Sequence, residues 1–283
     1  MDALAPAAAT YAARRTRLSA LLAELPDLVV AVSGGVDSAV LLHAAARALG
    51  PRCAGVIGDS PSLPRRDLDE ARALAARIGV ELAVLPTEEL LREEYRRNDG
   101  TRCYWCRQTL FEAMERWARA RRFTTLAYGE ITDDLGEHRP GRAAAAELAV
   151  RAPLSEAGLS KDDVRRYARE HGLAVAEKPA SACLASRLAP GTPVTRERLA
   201  RVERAEELVR GLGFGLVRVR DRGDEAGLEV EAHELARADS LAEEIGARLA
   251  PLGFARLALA AYRRPGAPDE AANARPRAHT TSR

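Results

Sequence analysis

The stretch AVSGGVDSAVLL, residues 31–42, decides the fold. It begins inside the apolar run LVVAV (28–32) and ends inside a helical pattern, SAVLLHAAARAL (38–49). Between them stands Ser33-Gly34-Gly35-Val36-Asp37-Ser38. Glycines let the backbone turn tightly and bring its N–H groups against an anion, and the start of the following helix adds partial positive charge. A strand, glycine turn and helix in that order form a nest for a phosphate or pyrophosphate. A Walker A loop would need G-x-x-x-x-G-K-[ST], which the chain lacks, and no G-x-G-x-x-G follows the first strand. The bland alternative is a glycine-rich turn with Asp37 or Ser38 as a helix cap.

Working outward, short apolar runs alternate with longer helical ones. AGVIG (54–58), ELAVLP (81–86) and TTLAYG (124–129) read as strands, DLDEARALAARIG (67–79) and LFEAMERWARA (110–120) as helices. That alternation predicts an α/β fold: a parallel sheet with helices on both faces, whose ligands bind beyond the carboxyl ends of the strands. From about residue 195 the pattern becomes helix, two strands (216–220 and 227–232), helix, strand (254–260), a small α+β unit. The expected organisation is therefore 1–192, 193–264 and a tail, 265–283, whose lack of apolar content reads as disorder.

Composition narrows the function. A chain of 283 residues with 47% hydrophobic and 30% charged residues is an ordinary globular one. No stretch approaches the roughly 18 apolar residues of a membrane span, and Arg14, Arg15 and Arg17 follow the alanine run where a signal peptide would put them before it, so the cytoplasm is expected. A net charge of +2 argues against a nucleic-acid partner, since such affinity rests on many cations. Lys161 and Lys178 are the only lysines among 43 basic residues. Four cysteines in such a chain suggest metal binding or catalysis over disulfides. Cys53, in RCAGVIGD, reads as a core residue.

Cys103 and Cys106 form a C-x-x-C in RCYWCRQTLF, which the pattern places where a helix opens at the second cysteine. Such a pair serves redox chemistry or half a zinc site, but five scattered histidines (His43, His138, His171, His233, His279) complete no zinc site. Together with Cys183, the pair would suit an iron–sulfur cluster with one iron left open. Cys183 lies in SACLASR (181–187), between Lys178-Pro179 and Pro190-Gly191, with cations on either side.

S-G-G-x-D-S resembles the PP-loop of the N-type ATP pyrophosphatases, which cleave ATP to AMP and pyrophosphate. The resemblance implies that Ser33, Gly34, Gly35 and Ser38 hold the pyrophosphate. It also implies that Asp37 positions them or a Mg²⁺ ion, and that backbone around Gly58-Asp59-Ser60 holds adenine. With RCYWC, DDLGEHRPGR (133–142) and EKPASACLASRLAPGTPVTRERL following in order, the chain over about residues 15 to 262 resembles the LarE family of ATP-dependent sulfur transferases. The family builds the nickel-pincer cofactor, so the resemblance implies ATP and a pyridinium dicarboxylate mononucleotide as substrates, each carboxylate being adenylated and converted to a thiocarboxylate.

The same resemblance implies Cys183 as the sulfur-bearing nucleophile, with Arg187 steadying the anion and Lys178 meeting a substrate phosphate. Asp133, Asp134 and Arg139 match the segment lining the nucleotide and metal site; Glu206, Arg218 and Arg220 match positions near substrate. Arg218 and Arg220, two apart, would face one side of a strand. In the simplest members the cysteine loses its own sulfur and becomes dehydroalanine. In three-cysteine members Cys103, Cys106 and Cys183 would bind a [4Fe-4S] cluster whose open iron carries a hydrosulfide. A homohexamer is also implied. Two departures stand out: Glu130-Ile131-Thr132 replaces the usual Thr-Asn-Ala, and Arg107 the usual Lys. Rival readings are a tRNA thiolase, an ammonia-using amide synthetase, and a non-catalytic AMP-sensing module.

Overall fold

The structure is a computed structural model that describes residues 10–136, 140–179, 182–263 and 277–280. The chain divides into two compact units, Met1–Tyr95 with Gly100–Ser181, and Arg96–Asp99 with Ala182–Arg283.

In the first unit, α1 (Tyr11–Ala23) leads into β1 (Leu28–Ala31), α2 (Val36–Leu49), β2 (Cys53–Asp59), α3 (Arg65–Ile78) and β3 (Glu81–Pro86). After the short α4 (Glu93–Arg96) come α5 (Arg102–Ala120), β4 (Leu126–Tyr128), α6 (Gly141–Glu147), α7 (Pro153–Glu156) and α8 (Lys161–Glu170). The strands form one sheet in the order β3-β2-β1-β4, every pairing parallel, with Leu28 opposite Cys53 and Val29 opposite Leu126. The expected α/β architecture is present. All four residues of β1 are buried, as a central parallel strand covered on both faces requires. Val30, Leu41, Leu42, Ile57 and Val164 pack on one face, and Val29, Val56, Phe111, Met114 and Tyr128 on the other. Because β2 and β4 flank β1, the strand order reverses beside it, and the turn leaving β1 lies at the switch point where such sheets bind ligands. That turn is the glycine loop.

The second unit contains α9 (Arg196–Arg210), β5 (Arg218–Arg222), β6 (Glu225–Val230), α10 (Leu235–Ser240), α11 (Ala242–Leu249), β7 (Arg256–Ala261) and β8 (Arg277–Thr280). Its sheet runs β5-β6-β7-β8; β5–β6 and β7–β8 are antiparallel, and β6–β7 is parallel. The chain divides after residue 181, ahead of the expected junction at 192, and four residues from far upstream lie with this unit. Gly191 N donates to Asn98 O and Val194 N to Arg96 O, both at 2.9 Å, and Asn98 Nδ2 donates to Ala189 O at 2.8 Å. Such tethers between distant segments leave no periodicity to read. Residues 277–280, expected in a disordered tail, pair with β7; the rest of that tail lies outside the described residues. Among the described residues no helix is long and apolar enough to cross a membrane.

Candidate functional site

The glycine loop is shaped by two serines and a left-handed glycine. Gly34 has φ +76°, a conformation that favours glycine. Ser38 Oγ donates to Gly35 O at 3.1 Å and accepts from Ser33 N at 3.1 Å, closing the turn on itself. Gly35 is the N-cap of α2 and makes no side-chain cap bond, so neither Asp37 nor Ser38 takes the capping role that the bland reading gave them. The first N–H groups of α2 are thereby left to face a ligand.

Gly129, at the end of β4, passes against this first turn. A Cβ there would stand 2.6 Å from Ser38 N and 2.9 Å from Asp37 C. In the sequence Gly129 marks only the end of the strand TTLAYG, and a glycine at that place is the one signal of a close backbone approach.

Both lysines of the chain converge on the loop. Lys161 Nζ lies 2.8 and 2.7 Å from the two oxygens of Asp37. Burial pushes the Asp37 carboxyl above the ordinary carboxylate range, and Lys161 opposes the shift. Lys178 Nζ donates to Gly34 O at 3.0 Å and meets Asp67 at 3.0 Å and Glu70 at 2.7 Å. Burial alone would raise Glu70, but hydrogen bonds from Lys178 and Arg66 bring it below its usual value. Lys178, expected at a substrate phosphate, thus braces the loop between two carboxylates. Lys161 went unassigned in the sequence, although its rarity was the clue. A lysine is a compact point charge on a flexible stem, which arginine does not replace.

The aspartates expected beside the nucleotide are here too. Asp133 Oδ2 accepts from Lys161 N at 3.0 Å; Asp134, buried, accepts from Ile131 N at 3.2 Å and lies near enough to Asp37 to raise it. Asp37, Asp133 and Asp134 offer oxygen donors of the kind Mg²⁺ takes, but they do not close into one ligand cluster; among the described residues the one such cluster is Glu231, His233 and Glu234. Glu130 accepts from Tyr128 Oη at 2.7 Å and pairs with Arg142 at 3.0 Å. Arg107 lies over the Tyr128 ring at 5.1 Å, and its buried Nη1 has no hydrogen-bond partner. Arg139 lies outside the described residues.

The thiols separate by environment. Cys53 is buried in β2, and burial pushes its thiol up to about 12. The helix opens at Arg102 instead of at the second cysteine, so Cys103 stands on the first turn of α5, exposed, and Cys106 at the start of the next, half-buried. Three residues apart, they share one helix face.

Cys183, in the second unit, is half-buried at the head of a short 3₁₀ turn, Leu184–Arg187. Arg187 is engaged elsewhere than the thiol. Its Nη1 donates to the carbonyls of Ala182 and Cys183 at 2.5 and 2.8 Å, and its Nε to Glu206 at 2.8 Å. Glu206, expected near substrate, is 1% exposed and also accepts from Arg210 at 2.5 Å and Val219 N at 3.2 Å.

Arg218 and Arg220 alternate with buried Val219 on β5, so they share a face as the spacing predicts. Arg220 forks onto Glu229 at 2.9 Å and donates to Ser186 O at 2.7 Å; burial, then Arg187, holds Arg218 below its usual pKa. Cys103 and Cys106, on one face of α5, are sulfur donors of the kind that iron–sulfur sites use.

No family model matches the chain. It is 37% identical over 212 residues to the uncharacterised protein slr1717 of Synechocystis sp., spanning 75% of this chain and 79% of that one. It is 26% identical over 232 residues to the uncharacterised protein MJ0830 of Methanocaldococcus jannaschii, spanning 82% and 88%. With the pyridinium-3,5-bisthiocarboxylic acid mononucleotide synthase of Lactiplantibacillus plantarum it shares 31% identity over 247 residues, 87% of this chain and 90% of the synthase. That likeness spans almost the whole of both sequences, and the chain belongs to the LarE family.

Proposed function

We propose that this chain is an ATP-dependent sulfur transferase that converts the carboxylates of a pyridinium dicarboxylate mononucleotide to thiocarboxylates in the cytoplasm. The observation that carries the reading is the glycine loop at the switch point with both lysines of the chain upon it, in a relative of a bisthiocarboxylate synthase.

A carboxylate resists nucleophiles, so its oxygen first attacks the α-phosphorus of ATP and pyrophosphate leaves. The open N–H groups of α2, with Ser33, Gly34, Gly35 and Ser38, receive that pyrophosphate. Lys161 favours the charged form of Asp37, and Asp37 would share with the phosphates a Mg²⁺, which neutralises phosphate charge when bound, beside Asp133 and Asp134. Where Cys183 is a free thiolate, it then attacks the acyl carbon and AMP departs; where it is a cluster ligand, the sulfide carried there would displace AMP in its place. Arg187 holds the Cys183 loop through its carbonyls, and Arg218 and Arg220 bind the substrate phosphate.

The fate of the sulfur follows from Cys103 and Cys106. With Cys183 they would hold a [4Fe-4S] cluster, which supplies an iron site able to carry sulfide, so that Cys183 survives each turnover. Cys103 and Cys106 standing together on one face of α5 favour this over the sacrificial route, in which the Cys183 C–S bond breaks, its α-proton is lost and dehydroalanine remains. A homohexamer, suggested by the family, is the assembly we propose.

Intact mass after reaction with ATP, sulfide and the dicarboxylate mononucleotide tests the reading. Unchanged mass with thiocarboxylate product is expected; loss of one H₂S from the protein would establish the sacrificial route. Persistent amide formation by Cys183→Ser with ammonia would overturn both in favour of an amide synthetase, and thiolation of tRNA would overturn them in favour of a tRNA thiolase. Nucleotide binding without pyrophosphate release would leave an AMP-sensing module.

A further inference from the structure

A cavity of about 490 Å³ opens in the first unit where three helices end. It is lined by His43, Ala46 and Arg47 from α2, by Leu74, Arg77 and Ile78 from α3, and by His171 and Leu173 just past α8. Arg47 lies ten residues beyond Asp37 on α2, about 15 Å along the axis from the glycine loop at 1.5 Å per residue, so this is not the loop's own pocket.

The lining is amphiphilic. Leu74 and Leu173 are buried and give an apolar floor. Three rings stand together beside it: the His43 and His171 centroids are 4.9 Å apart, and Tyr167 lies 4.3 Å from His171 and 5.7 Å from His43. The Tyr167 hydroxyl meets His43 Nδ1 at 3.0 Å. Among the described residues, neither Arg47 nor Arg77 has a hydrogen-bond or ion-pair partner, in a chain where Arg66, Arg92, Arg119 and Arg166 all meet glutamates. A basic residue in the last turn of a helix complements the helix dipole. That accounts for an arginine at each end, but not for the cavity between them or the imidazoles that line it. Burial, with Arg47 nearby, keeps both imidazoles below their usual pKa, so each offers a neutral ring. The volume falls within the roughly 300–1,000 Å³ of small-molecule pockets, which pair apolar walls with a few polar groups.

We infer that this cavity is a second binding site, for a small planar organic anion whose charge is held by Arg47 and Arg77 and whose ring packs on His43, His171 and Leu74. The inference does not rest on the sulfur-transfer reading.

The test titrates the full chain with phenyl phosphate, benzoate and inorganic phosphate at fixed ionic strength, following the histidine C–H resonances by NMR. Saturable shifts of His43 and His171, with His233 unmoved, are expected from one or both ring-bearing probes; which probe binds tells a phosphate ester from a carboxylate ligand. Arg47→Gln with Arg77→Gln should weaken binding about tenfold or more, the range of hydrogen bonds to charged groups. Ile78→Trp, which fills the cavity and keeps both charges, should abolish it. The proposal is overturned if neither ring-bearing probe shifts these histidines, if inorganic phosphate shifts them equally, or if the folded variants bind like the parent.

Discussion

Arg187 and Glu206 meet as a buried ion pair, Nε to Oε1 at 2.8 Å, each side chain 1% exposed. The same carboxylate takes Arg210 and the amide of Val219, so one acid secures the Cys183 turn, α9 and β5 within the second unit. Removing one partner of a buried pair leaves a charge uncompensated, at a cost of about 3–5 kcal/mol. Glu206→Gln should therefore lower the urea midpoint by a matching amount with an unchanged slope. An unshifted midpoint would show that the pair is not structural.

Lys161 and Asp37 give a kinetic prediction. Burial already raises Asp37, and only Lys161 and more distant cations hold it down. Lys161→Met should raise it further. Pyrophosphate release from ATP should then fail at a higher pH on the acid side than in the parent, because Asp37 takes up its proton sooner. Superimposable acid limbs of the two pH–rate profiles would exclude this role for Lys161.

Gly129 offers a geometric one. With a Cβ 2.6 Å from Ser38 N, alanine forces backbone to move, because no flexible side chain is there to yield. Gly129→Ala should cost about 1–3 kcal/mol in stability, as overpacking does. It should reduce pyrophosphate release by more than the loss of folded protein explains. Activity that tracks folded fraction alone would refute the close approach.

The fold was legible because its signals are local. LVVAV, AGVIG and ELAVLP are apolar runs of strand length, and each became a parallel strand within two residues of the expected bounds. The glycine loop was legible because its residue types demand its conformation. The tertiary consequences were not. Nothing in the spacing says that Lys161, far along the chain, returns to Asp37, or that Asn98 binds Ala189. Arg187 was read as a partner for the thiol because it is four residues away, while in the folded chain the nearby carbonyls and Glu206 hold its donors. The helix start at Arg102 lies ahead of any apolar periodicity, so the pattern places the opening of α5 late, at Cys106.

His43 gives the protein an acid-sensitive element. Burial first, then His171 and Arg47, lowers its pKa from 6.5 to about 4. Below pH 6.5 the unfolded chain takes up a proton that the folded chain refuses, so stability is full above that pH and falls as pH drops toward 4. His171, facing Arg47, Glu170 and Arg15, shifts in the same direction. Denaturation midpoints should decline over this window, and His43→Gln should flatten the decline. An equal slope in that variant would assign the effect to His171 or to carboxylates.

The thiols should separate by reactivity. Brief iodoacetamide treatment of the cluster-free protein at pH 8 should label Cys103, which is exposed, and spare Cys53, whose thiol is held near 12, until denaturant is added. Peptide mapping by mass spectrometry checks both sites. Early modification of Cys53 would mean that β2 opens readily.

The Arg96–Asp99 segment bears on how the protein can be taken apart. Three peptide bonds, after residues 95, 99 and 181, carry the chain from one unit to the other. A fragment ending at 181 would carry off these four residues with nothing for Asn98 and Arg96 to grip, and would strip the remaining half of the tether at Ala189, Gly191 and Val194. Neither piece obtained by a single cut is a whole unit. Dissection at that one seam, by protease or by gene truncation, should therefore yield two frayed products, and shuffling of the C-terminal half onto other scaffolds must bring the RRND tetrapeptide with it.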